Sequence, residues 1–493
     1  MSASKVEGGG EVGRAVLPEG WAWAAVADVG DVELGRPRHP NWHEGPEMRP
    51  YLRVSNVFED RIDVTGMKEM DFSGVFDKYR LEPGDILLNE GQSPHLVGRP
   101  AMYRGEPADV AYTNSLIRFR ANTGLLPEWA LLVFRNHLHS GRFMREVRIT
   151  TNIAHLSATR LKVVEFPVPP TAEQQRIITA LGTHMARLDA VDRTVASARR
   201  DLAALRKAVL LDAVPEPKQW PAHWAATTTG RAGTVELGRA RHPNWHTGSK
   251  MRPYLRVANV FEDRIDTSDV KDMDFSGVFD KYRLEPGDIL LNEGQSPHLV
   301  GRPAMYRGIP EGVAFTNSLM RFRAGADVLP GWALLVFRRH LHAGRFMREV
   351  RITTNLAHLS GVRLKTVEFP VPPLDEQRQL IRTTKQRLAA LDRIALGLDR
   401  IARHNTALRR TLLAEASSGC LAPQDPADEP AEELLKRIRV EREAAEAERK
   451  VARKAARVGR KATTDPAAPP PAKTDDTTLA DGEQTALPLE FNS

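Results

Sequence analysis

The chain has 493 residues, of which 27% are charged, and it contains a single cysteine. This length allows several domains with buried cores, and one cysteine excludes an internal disulfide framework or a cysteine-based zinc cluster. No apolar run approaches the roughly 18 residues needed to span a bilayer. The first 14 residues lack the apolar core of a secretory signal, so we expect a flexible N-terminus and a cytoplasmic protein.

A long internal repeat dominates the sequence. Residues 71–105 recur letter for letter at 274–308, and the same separation relates Gly35 to Gly238 and Tyr51 to Tyr254. A repeat of this length predicts two copies of one domain.

Within each copy, short apolar runs bounded by turn residues predict a strand-rich mixed α/β (α+β) fold. In the first copy, residues 51–54 and 86–88 are predicted strands, and the second of these follows a Pro-Gly-Asp turn. Residues 116–119 alternate apolar and basic residues, which predicts a half-exposed strand. Residues 127–139 have helical spacing and begin with proline, which the first turn of a helix tolerates.

A heptad pattern follows each copy, and it predicts two long helices that pack together as an antiparallel coiled coil. The alternatives are packing of each stripe against its own domain or against an unknown partner. The first stripe comprises Ile177, Leu181, His184, Leu188, Val191, Val195, Ala198, Leu202, Leu205 and Val209. The second comprises Leu380, Thr384, Arg387, Leu391, Ile394, Leu398, Ile401, Asn405, Leu408 and Leu412.

The C-terminal part changes composition twice. Residues 431–461 are predicted to form a charged, Ala-rich helix, and residues from 463 onward are predicted to be disordered. The predicted boundaries are therefore a flexible N-terminus (1–14), two repeat domains (15–170 and 214–373), two helices (171–213 and 374–420), a charged helical region (421–462) and a disordered tail (463–493). Residues 1–420 carry a net charge of +10, which fits a phosphate-binding surface.

No catalytic motif stands out in the sequence. There is no GxxxxGK[ST] phosphate loop, no Gly-rich turn of a nucleotide or methyl-donor fold, and no Asn-Pro-Pro-aromatic tetrapeptide. His137/His139 and His340/His342 lie two apart on predicted helices, hence on different faces, so we expect no metal site there. We expect no catalytic residue and no cofactor in this chain.

Three polar clusters in each copy carry the side chains that contact bases and phosphates, and they predict DNA binding. We call them the basic loop, the glutamine loop and the arginine cluster. In the first copy they comprise, respectively, Arg36, Arg38, His39, Asn41 and His43; Gln92, Ser93, His95 and Arg99; and Arg145, Arg148, Thr151 and Asn152. In the second copy they comprise Arg239, Arg241, His242, Asn244 and His246; Gln295, Ser296, His298 and Arg302; and Arg348, Arg351, Thr354 and Asn355.

Several motifs together resemble the specificity subunit of type I restriction–modification systems. They include residues 17–21 (LPEGW), 84–91 (GDILLNEG), 113–115 (TNS) and 167–170 (PVPP), followed by Glu173-Gln174, and the second copy repeats most of them. The alternation of domain, helix, domain, helix over roughly residues 15–445 also matches this family. One departure is that the two domains are nearly identical here, whereas family members commonly pair dissimilar ones.

The resemblance implies two target recognition domains that bind the halves of a split site in double-stranded DNA. It also implies helices that set their spacing and bind two methyltransferase subunits, and it leaves open whether two restriction subunits join them. Adenine methylation with S-adenosylmethionine, and cleavage with ATP and Mg²⁺, would belong to those partner chains. Near-identical domains predict a near-palindromic site.

Two alternative functions remain at this point. One is a stand-alone regulator with tandem DNA-binding domains, which the lack of a helix-turn-helix pattern disfavours. The other is a coiled-coil scaffold that binds only protein, for which purified chain would show no salt-dependent affinity for DNA.

Overall fold

The computed structural model describes residues 16–150, 153–353 and 356–462. The described residues divide into two compact units, one that contains the residues up to 180 and those from 413 onward, and one that contains residues 181–412. The predicted N-terminus (1–14) and tail (463–493) lie outside the described residues. In the parts of the chain that are described, we find no helix with the length and apolar character needed to cross a bilayer.

The predicted mixed α/β fold is confirmed, and the first repeat domain consists mainly of short strands. These are Ala22–Ala25, Gly30–Leu34, Met48–Leu52, Val57–Phe58, Arg61–Ile62, Lys68–Asp71, Ile86–Asn89, Gly91–Gln92, Pro100–Met102, Ala111–Tyr112, Leu116–Ala121, Arg148–Thr150, Ile153–His155 and Glu165–Val168. Its α-helices are Val26–Val29, Phe76–Tyr79, Pro127–His139 and Ala158–Lys162, and its 3-10 helices are Pro40–Trp42, Val54–Asn56 and Phe143–Arg145.

A four-stranded antiparallel sheet forms the centre of this domain. Its strand order is Gly30–Leu34, Leu116–Ala121, Ile86–Asn89 and Pro100–Met102. The helix Pro127–His139 packs on it: the rings of Phe119 and Phe134 meet edge to face at 5.0 Å, and both side chains are fully buried. The predicted bounds of this helix are confirmed.

Two predictions for the strands need correction. Residues 51–54 are not one strand, because the strand ends at Leu52 and Arg53 precedes the 3-10 helix Val54–Asn56, where the Asn56 side chain accepts a hydrogen bond from the Arg53 amide at 3.2 Å. The strand at 116–119 is buried on both faces. Arg118 is tolerated there because its guanidinium donates to Glu33 at 2.6 Å.

The second repeat domain has the same architecture. Its strands are Ala225–Thr228, Gly233–Leu237, Met251–Leu255, Val260–Phe261, Arg264–Ile265, Lys271–Asp274, Ile289–Asn292, Gly294–Gln295, Pro303–Met305, Ala314–Phe315, Leu319–Ala324, Arg351–Thr353, Leu356–His358 and Glu368–Val371. Its α-helices are Thr229–Ala232, Phe279–Tyr282, Pro330–His342 and Gly361–Thr366. Its 3-10 helices are Pro243–Trp245, Val257–Asn259 and Arg345–Arg348, and a further 3-10 helix, Pro217–Gln219, comes before its first strand.

Two long helices, Thr171–Ala213 and Leu374–Ser417, are the spacer helices. Within residues 181–412 they pair in antiparallel fashion, as predicted. In successive contacts the residue number increases on the first helix and decreases on the second. These contacts are Asp189–Arg409, Asp192–Asn405, Arg199–Asp399, Arg206–Asp392 and Asp212–Arg387.

The predicted seam is partly wrong in detail. In the first spacer helix Val195, Leu202 and Val209 are buried. In the second, however, Leu388 is buried, whereas the predicted Arg387 is exposed and forms an ion pair with Asp212. Alternate predicted positions point away from the partner helix, so an apolar row stays exposed: Val191, Leu205, Ile394, Ile401 and Leu408.

The C-terminal segment packs on the first repeat domain. The Gln424 amide donates to the Glu19 carbonyl at 3.0 Å, and the backbone amide of Ala431 donates to the Gly20 carbonyl at 2.9 Å. Ala431 begins the C-terminal helix, Ala431–Ala462. Leu434 of this helix is buried over Gly124, where a Cβ atom would come within 2.4 Å of the leucine.

Candidate nucleic-acid interface

The basic loop is shaped by a buried arginine. It follows the strand Gly30–Leu34, and Gly35 lies against the backbone of Thr113, where a Cβ atom would be 2.3 Å from the carbonyl oxygen. The Arg36 guanidinium stacks 4.0 Å from the Trp42 ring centre and donates to the Asp71 carbonyl. Arg36 is only 8% exposed, so its visible role is to hold the loop rather than to present a charge.

The remaining members of the basic loop are presented to solvent. The loop forms the 3-10 helix Pro40–Trp42, which His39 caps by accepting a hydrogen bond from the Asn41 amide at 3.2 Å. Four predicted side chains are exposed here: Arg38, His39, Asn41 and His43.

The second copy has a basic loop of the same construction. His242 accepts from the Asn244 amide at 3.2 Å, and the Arg239 guanidinium lies 3.9 Å from the centre of the Trp245 ring. Its exposed members are Arg241, His242, Asn244 and His246.

The glutamine loop turns sharply between two strands. Gly98 has φ +74°, and a Cβ atom there would lie 2.5 Å from the Phe143 ring, so both its backbone and its packing require glycine. Arg99 points inward, because its guanidinium donates to the Val57 carbonyl at 2.6 Å and lies 4.9 Å from the Phe58 ring centre. Gln92 and Ser93 are half-buried, whereas His95 is exposed.

The glutamine loop of the second copy matches the first. The Arg302 guanidinium donates to the Val260 carbonyl at 2.5 Å. Gln295 and Ser296 are half-buried, and His298 is exposed. In both copies, the arginine of this loop braces the protein instead of extending from it.

Strand pairing joins the glutamine loop to the arginine cluster. The strands Arg148–Thr150 and Ile153–His155 form a hairpin, in which Arg148 pairs with His155. Ala154 of this hairpin pairs with Gln92 in the strand Gly91–Gln92. Two clusters that lie more than 40 positions apart in the sequence therefore form one surface.

The same three-stranded sheet occurs in the second copy, where Arg351 pairs with His358 and Gln295 with Ala357. Arg145, Arg148, Arg348 and Arg351 are all exposed on or beside these hairpins. The predicted members Thr151, Asn152, Thr354 and Asn355 lie outside the described residues. The basic loop contacts a different sheet, through the Arg36 bond to Asp71.

A network of arginines and carboxylates braces the base of the first hairpin. Arg142 donates to Glu165 at 2.8 Å and to Glu146 at 2.9 Å. Arg160 donates to the Glu146 carbonyl at 2.6 Å. Burial lowers the pKa of the Arg142 guanidinium, but the hydrogen bonds to both carboxylates outweigh this and raise it. Arg142 therefore stabilises the hairpin base, and Arg145 and Arg148 remain free to extend outward.

Exposed aliphatic side chains also lie on the hairpins, although they were not predicted from the sequence. Ile149 is 58% exposed and Ile153 is 45% exposed, and in the second copy Ile352 and Leu356 are 59% and 48% exposed. Apolar groups of this kind can contact thymine methyl groups or base edges. The recurrence of aliphatic residues at these positions in both copies is the sequence pattern from which they could have been predicted.

The paired histidines make structural hydrogen bonds. His137 donates from Nε2 to the Glu165 carbonyl at 2.9 Å, and His139 Nε2 lies 2.9 Å from the Glu59 carboxylate. Burial would raise the pKa of Glu59, but the hydrogen bond from His139 and the charge of Arg135 outweigh it and lower the pKa to about 2. The histidines thus anchor the helix Pro127–His139 to its own domain.

Motifs behind the family resemblance also have visible structural roles. Asp85, 1% exposed, accepts two hydrogen bonds from the Arg120 guanidinium at 2.6 and 2.7 Å. Gln174 accepts from the Leu126 amide at 3.0 Å and donates to the Pro169 carbonyl at 3.0 Å. These residues fix the turn before the central strand and the start of the first spacer helix.

Comparison with known proteins points to one family. Residues 18–195 match the model of the type I restriction modification DNA specificity domain. The chain is 24% identical over 467 residues to the type I restriction enzyme EcoKI specificity subunit of Escherichia coli K12, covering 89% of this chain and 98% of the relative. It is likewise 24% identical over 454 residues to the StySPI specificity subunit of Salmonella potsdam, covering 87% and 97%.

A solved structure supports the fold. A chain from work on complex assembly and conformational transition of the type I R-M system aligns with a TM-score of 0.63 at 18% identity, covering 83% of this chain and all of that one. These matches do not favour the regulator and scaffold alternatives.

Proposed function

We propose that the chain is a specificity subunit of a type I restriction–modification system, as its similarity to that family indicates, and that its two repeat domains bind the two halves of one interrupted DNA site. Each domain contacts one half-site through its hairpin, glutamine loop and basic loop. The chain itself carries out no methyl transfer or cleavage. It positions methyltransferase subunits, and restriction subunits where these are present, whose chemistry uses S-adenosylmethionine, ATP and Mg²⁺.

The observation that carries this proposal is the duplicated surface. In each copy a hairpin with an exposed arginine pairs with the strand of the glutamine loop, in the same register. A two-stranded ribbon fits the major groove, where arginine can donate two hydrogen bonds to guanine. Two matching surfaces support two nearly matching half-sites.

The spacer helices support an inverted arrangement of the half-sites. The helices pair in antiparallel fashion within residues 181–412, and inverted protein elements bind inverted DNA half-sites. We therefore propose a near-palindromic site with one modified adenine on each strand.

The exposed apolar row on the spacer helices supports docking of partner subunits. Val191, Leu205, Ile394, Ile401 and Leu408 are between 36% and 53% exposed. Large apolar side chains in a row on a helix surface are typical of protein interfaces. We propose that methyltransferase subunits cover this row.

The proposal is tested by co-expressing the chain with the adenine methyltransferase subunit of its system and mapping methylated adenines in the host genome. We expect an interrupted near-palindrome that is modified only when both chains are present. Methylation that does not depend on this chain contradicts the assignment. Two unrelated half-sites contradict only the symmetry argument.

A further inference from the structure

The C-terminal helix, Ala431–Ala462, combines an anchored beginning with a strongly basic end. Its first two turns pack on the first repeat domain, where Leu434 is 3% exposed and Ile438 is 1% exposed. One turn further, the Arg442 guanidinium donates to the Ala27 carbonyl. Past Arg442, Val451 is 69% exposed, so the helix continues without a comparable apolar contact at this position.

The charges of the helix separate along its length. Residues 431–448 contain six Glu and four Lys or Arg in mixed order, including the exposed ion pair Lys436–Glu433 at 2.7 Å. From 449 to 461 the sequence has seven basic residues and no acid. The basic positions are 449, 450, 453, 454, 457, 460 and 461.

These basic positions share one side of the helix. At about 100° per residue, all seven fall in a sector about 140° wide, and the other sector holds Ala, Val and Gly. Positions 449, 453, 457 and 461 place like charges four residues apart, an arrangement that destabilises an isolated helix by roughly 0.2–0.5 kcal/mol per pair. A helix with this sequence gains stability when a polyanion neutralises that side.

We propose that this basic side of the C-terminal helix binds the phosphate backbone of duplex DNA, independently of sequence. The identification of the polyanion rests on the proposed function, because the anchor holds the helix on a domain that binds DNA and so keeps it at high effective concentration near the same duplex. The basic end reaches about 28 Å past Arg442 at 1.5 Å per residue. The duplex bound there is therefore DNA that flanks the half-site.

A membrane surface fits this helix less well. Helices that lie in a membrane interface carry Trp, Phe or Leu opposite their basic side, whereas residues 449–461 contain none of these. Ala, Val and Gly bury too little apolar area for such insertion. Anionic lipid is therefore the competing ligand that the experiment must include.

The test uses the full-length chain and a duplex of about 40 base pairs with random sequence, so that the recognition site plays no part. The test variant replaces five basic residues by glutamine, which keeps the helix propensity: Arg453→Gln, Lys454→Gln, Arg457→Gln, Arg460→Gln and Lys461→Gln. The control variant removes exposed charges on the first spacer helix: Arg187→Gln, Arg193→Gln and Arg200→Gln. A truncation after Glu448 provides a second way to remove the basic side.

We expect the five substitutions and the truncation to weaken binding at least about tenfold at low salt and to reduce the slope of log Kd against log salt by about 3 to 5, since each phosphate contact contributes about 0.9. The control should lose much less. An unchanged slope in the five-residue variant overturns the proposal, as does an equal loss in the control. Loss of binding to phosphatidylserine vesicles with DNA affinity retained also overturns it.

The two proposals fail separately in this design. If genome mapping gives no chain-dependent methylation but the salt slope falls as expected, the specificity function fails and the basic helix stands. If methylation is mapped as expected but the slope is unchanged, only the basic helix is refuted.

Discussion

The side-chain amide of Asn405 donates to the carboxylate of Asp192 at 2.6 Å and to the Leu188 carbonyl at 3.0 Å. Asn405 is 3% exposed, so this polar contact is buried inside the helix pair. A single buried asparagine fixes the register of a coiled coil at some cost in stability. This pair therefore sets how far one spacer helix is displaced along the other within residues 181–412.

Replacing Asn405 by alanine should lower the free energy of unfolding of the spacer helices by about 1–3 kcal/mol, because the Leu188 carbonyl and Asp192 lose a buried donor. Urea unfolding followed by helical circular dichroism measures this change. His404→Ala, at the exposed neighbouring position, should stay within about 0.5 kcal/mol of the unchanged protein. Equal effects of both variants would show that Asn405 contributes no more than a surface residue.

The seam and the exposed apolar row should respond differently to charge. Leu188→Asp with Leu391→Asp places carboxylates in the helix pair, so we expect loss of helix pairing and of assembly with the methyltransferase. Val191→Asp with Ile401→Asp changes exposed positions, so we expect unchanged helix content but loss of assembly. Gel filtration with the partner and circular dichroism separate the two results. Full assembly of the second variant would place the docking surface elsewhere.

Truncating the exposed hairpin arginines should weaken specific DNA binding. Arg148→Ala or Arg351→Ala should each cost about 1–3 kcal/mol at the mapped site if the arginine contacts a guanine, and should relax specificity at that base. Fluorescence anisotropy with matched and substituted duplexes measures both effects. Arg193→Ala on the first spacer helix is the matched control. A loss that is equal on every sequence would assign these arginines to phosphates instead.

The few differences between the copies beside the basic loop predict where the half-sites diverge. Glu44 and Glu47 correspond to Thr247 and Lys250, while the hairpin arginines are unchanged. The Glu47 and Lys250 amides make the same 3.0 Å hydrogen bond to Asp71 and Asp274, so the backbone is shared and only the charge differs. If this stretch contacts bases, Glu44→Thr with Glu47→Lys should make the mapped half-sites identical. An unchanged methylation pattern would exclude this stretch from base contact.

Stability should fall below pH 6.5 because of two histidines that pack inside their domains, His340 buried and His137 half-buried. Burial lowers the pKa of His137 and of His340 from 6.5 to about 4. The unfolded chain then binds protons that the folded chain does not, so stability present above pH 6.5 is lost as pH falls toward 4. His137→Gln with His340→Gln should flatten this part of the profile in thermal unfolding. His404→Gln, at an exposed position, should leave the profile unchanged.

Local sequence patterns correctly predicted those helices that are determined by neighbouring residues in the sequence. The helix Pro127–His139 was predicted with its correct bounds, because proline at its first position and its apolar spacing suffice. The long helices were predicted from their heptad spacing, which is also a local pattern. The burial of Leu116–Ala121 was not, because Arg118 is neutralised by Glu33, which lies 85 positions away.

In the candidate site too, local features could be predicted from the sequence, whereas tertiary contacts could not. Residue chemistry indicated the three clusters, but the pairing of Ala154 with Gln92 that joins two of them is a tertiary contact. Arg36 and Arg99 resembled the other arginines in sequence, yet each is turned inward by an aromatic ring and a backbone carbonyl. No local pattern distinguishes such an arginine from Arg148, which is exposed.

The return of the chain to its own beginning has a consequence for synthesis. Glu19 and Gly20 receive hydrogen bonds from Gln424 and Ala431, which a ribosome makes about 400 positions later. At about 5–20 residues per second, the gap between finishing residue 170 and residue 438 is on the order of ten to fifty seconds. During this interval the second unit can be completed, whereas the first repeat domain still exposes the surface that Leu434 and Ile438 will cover. The unit whose synthesis begins first is therefore the last to complete its folding.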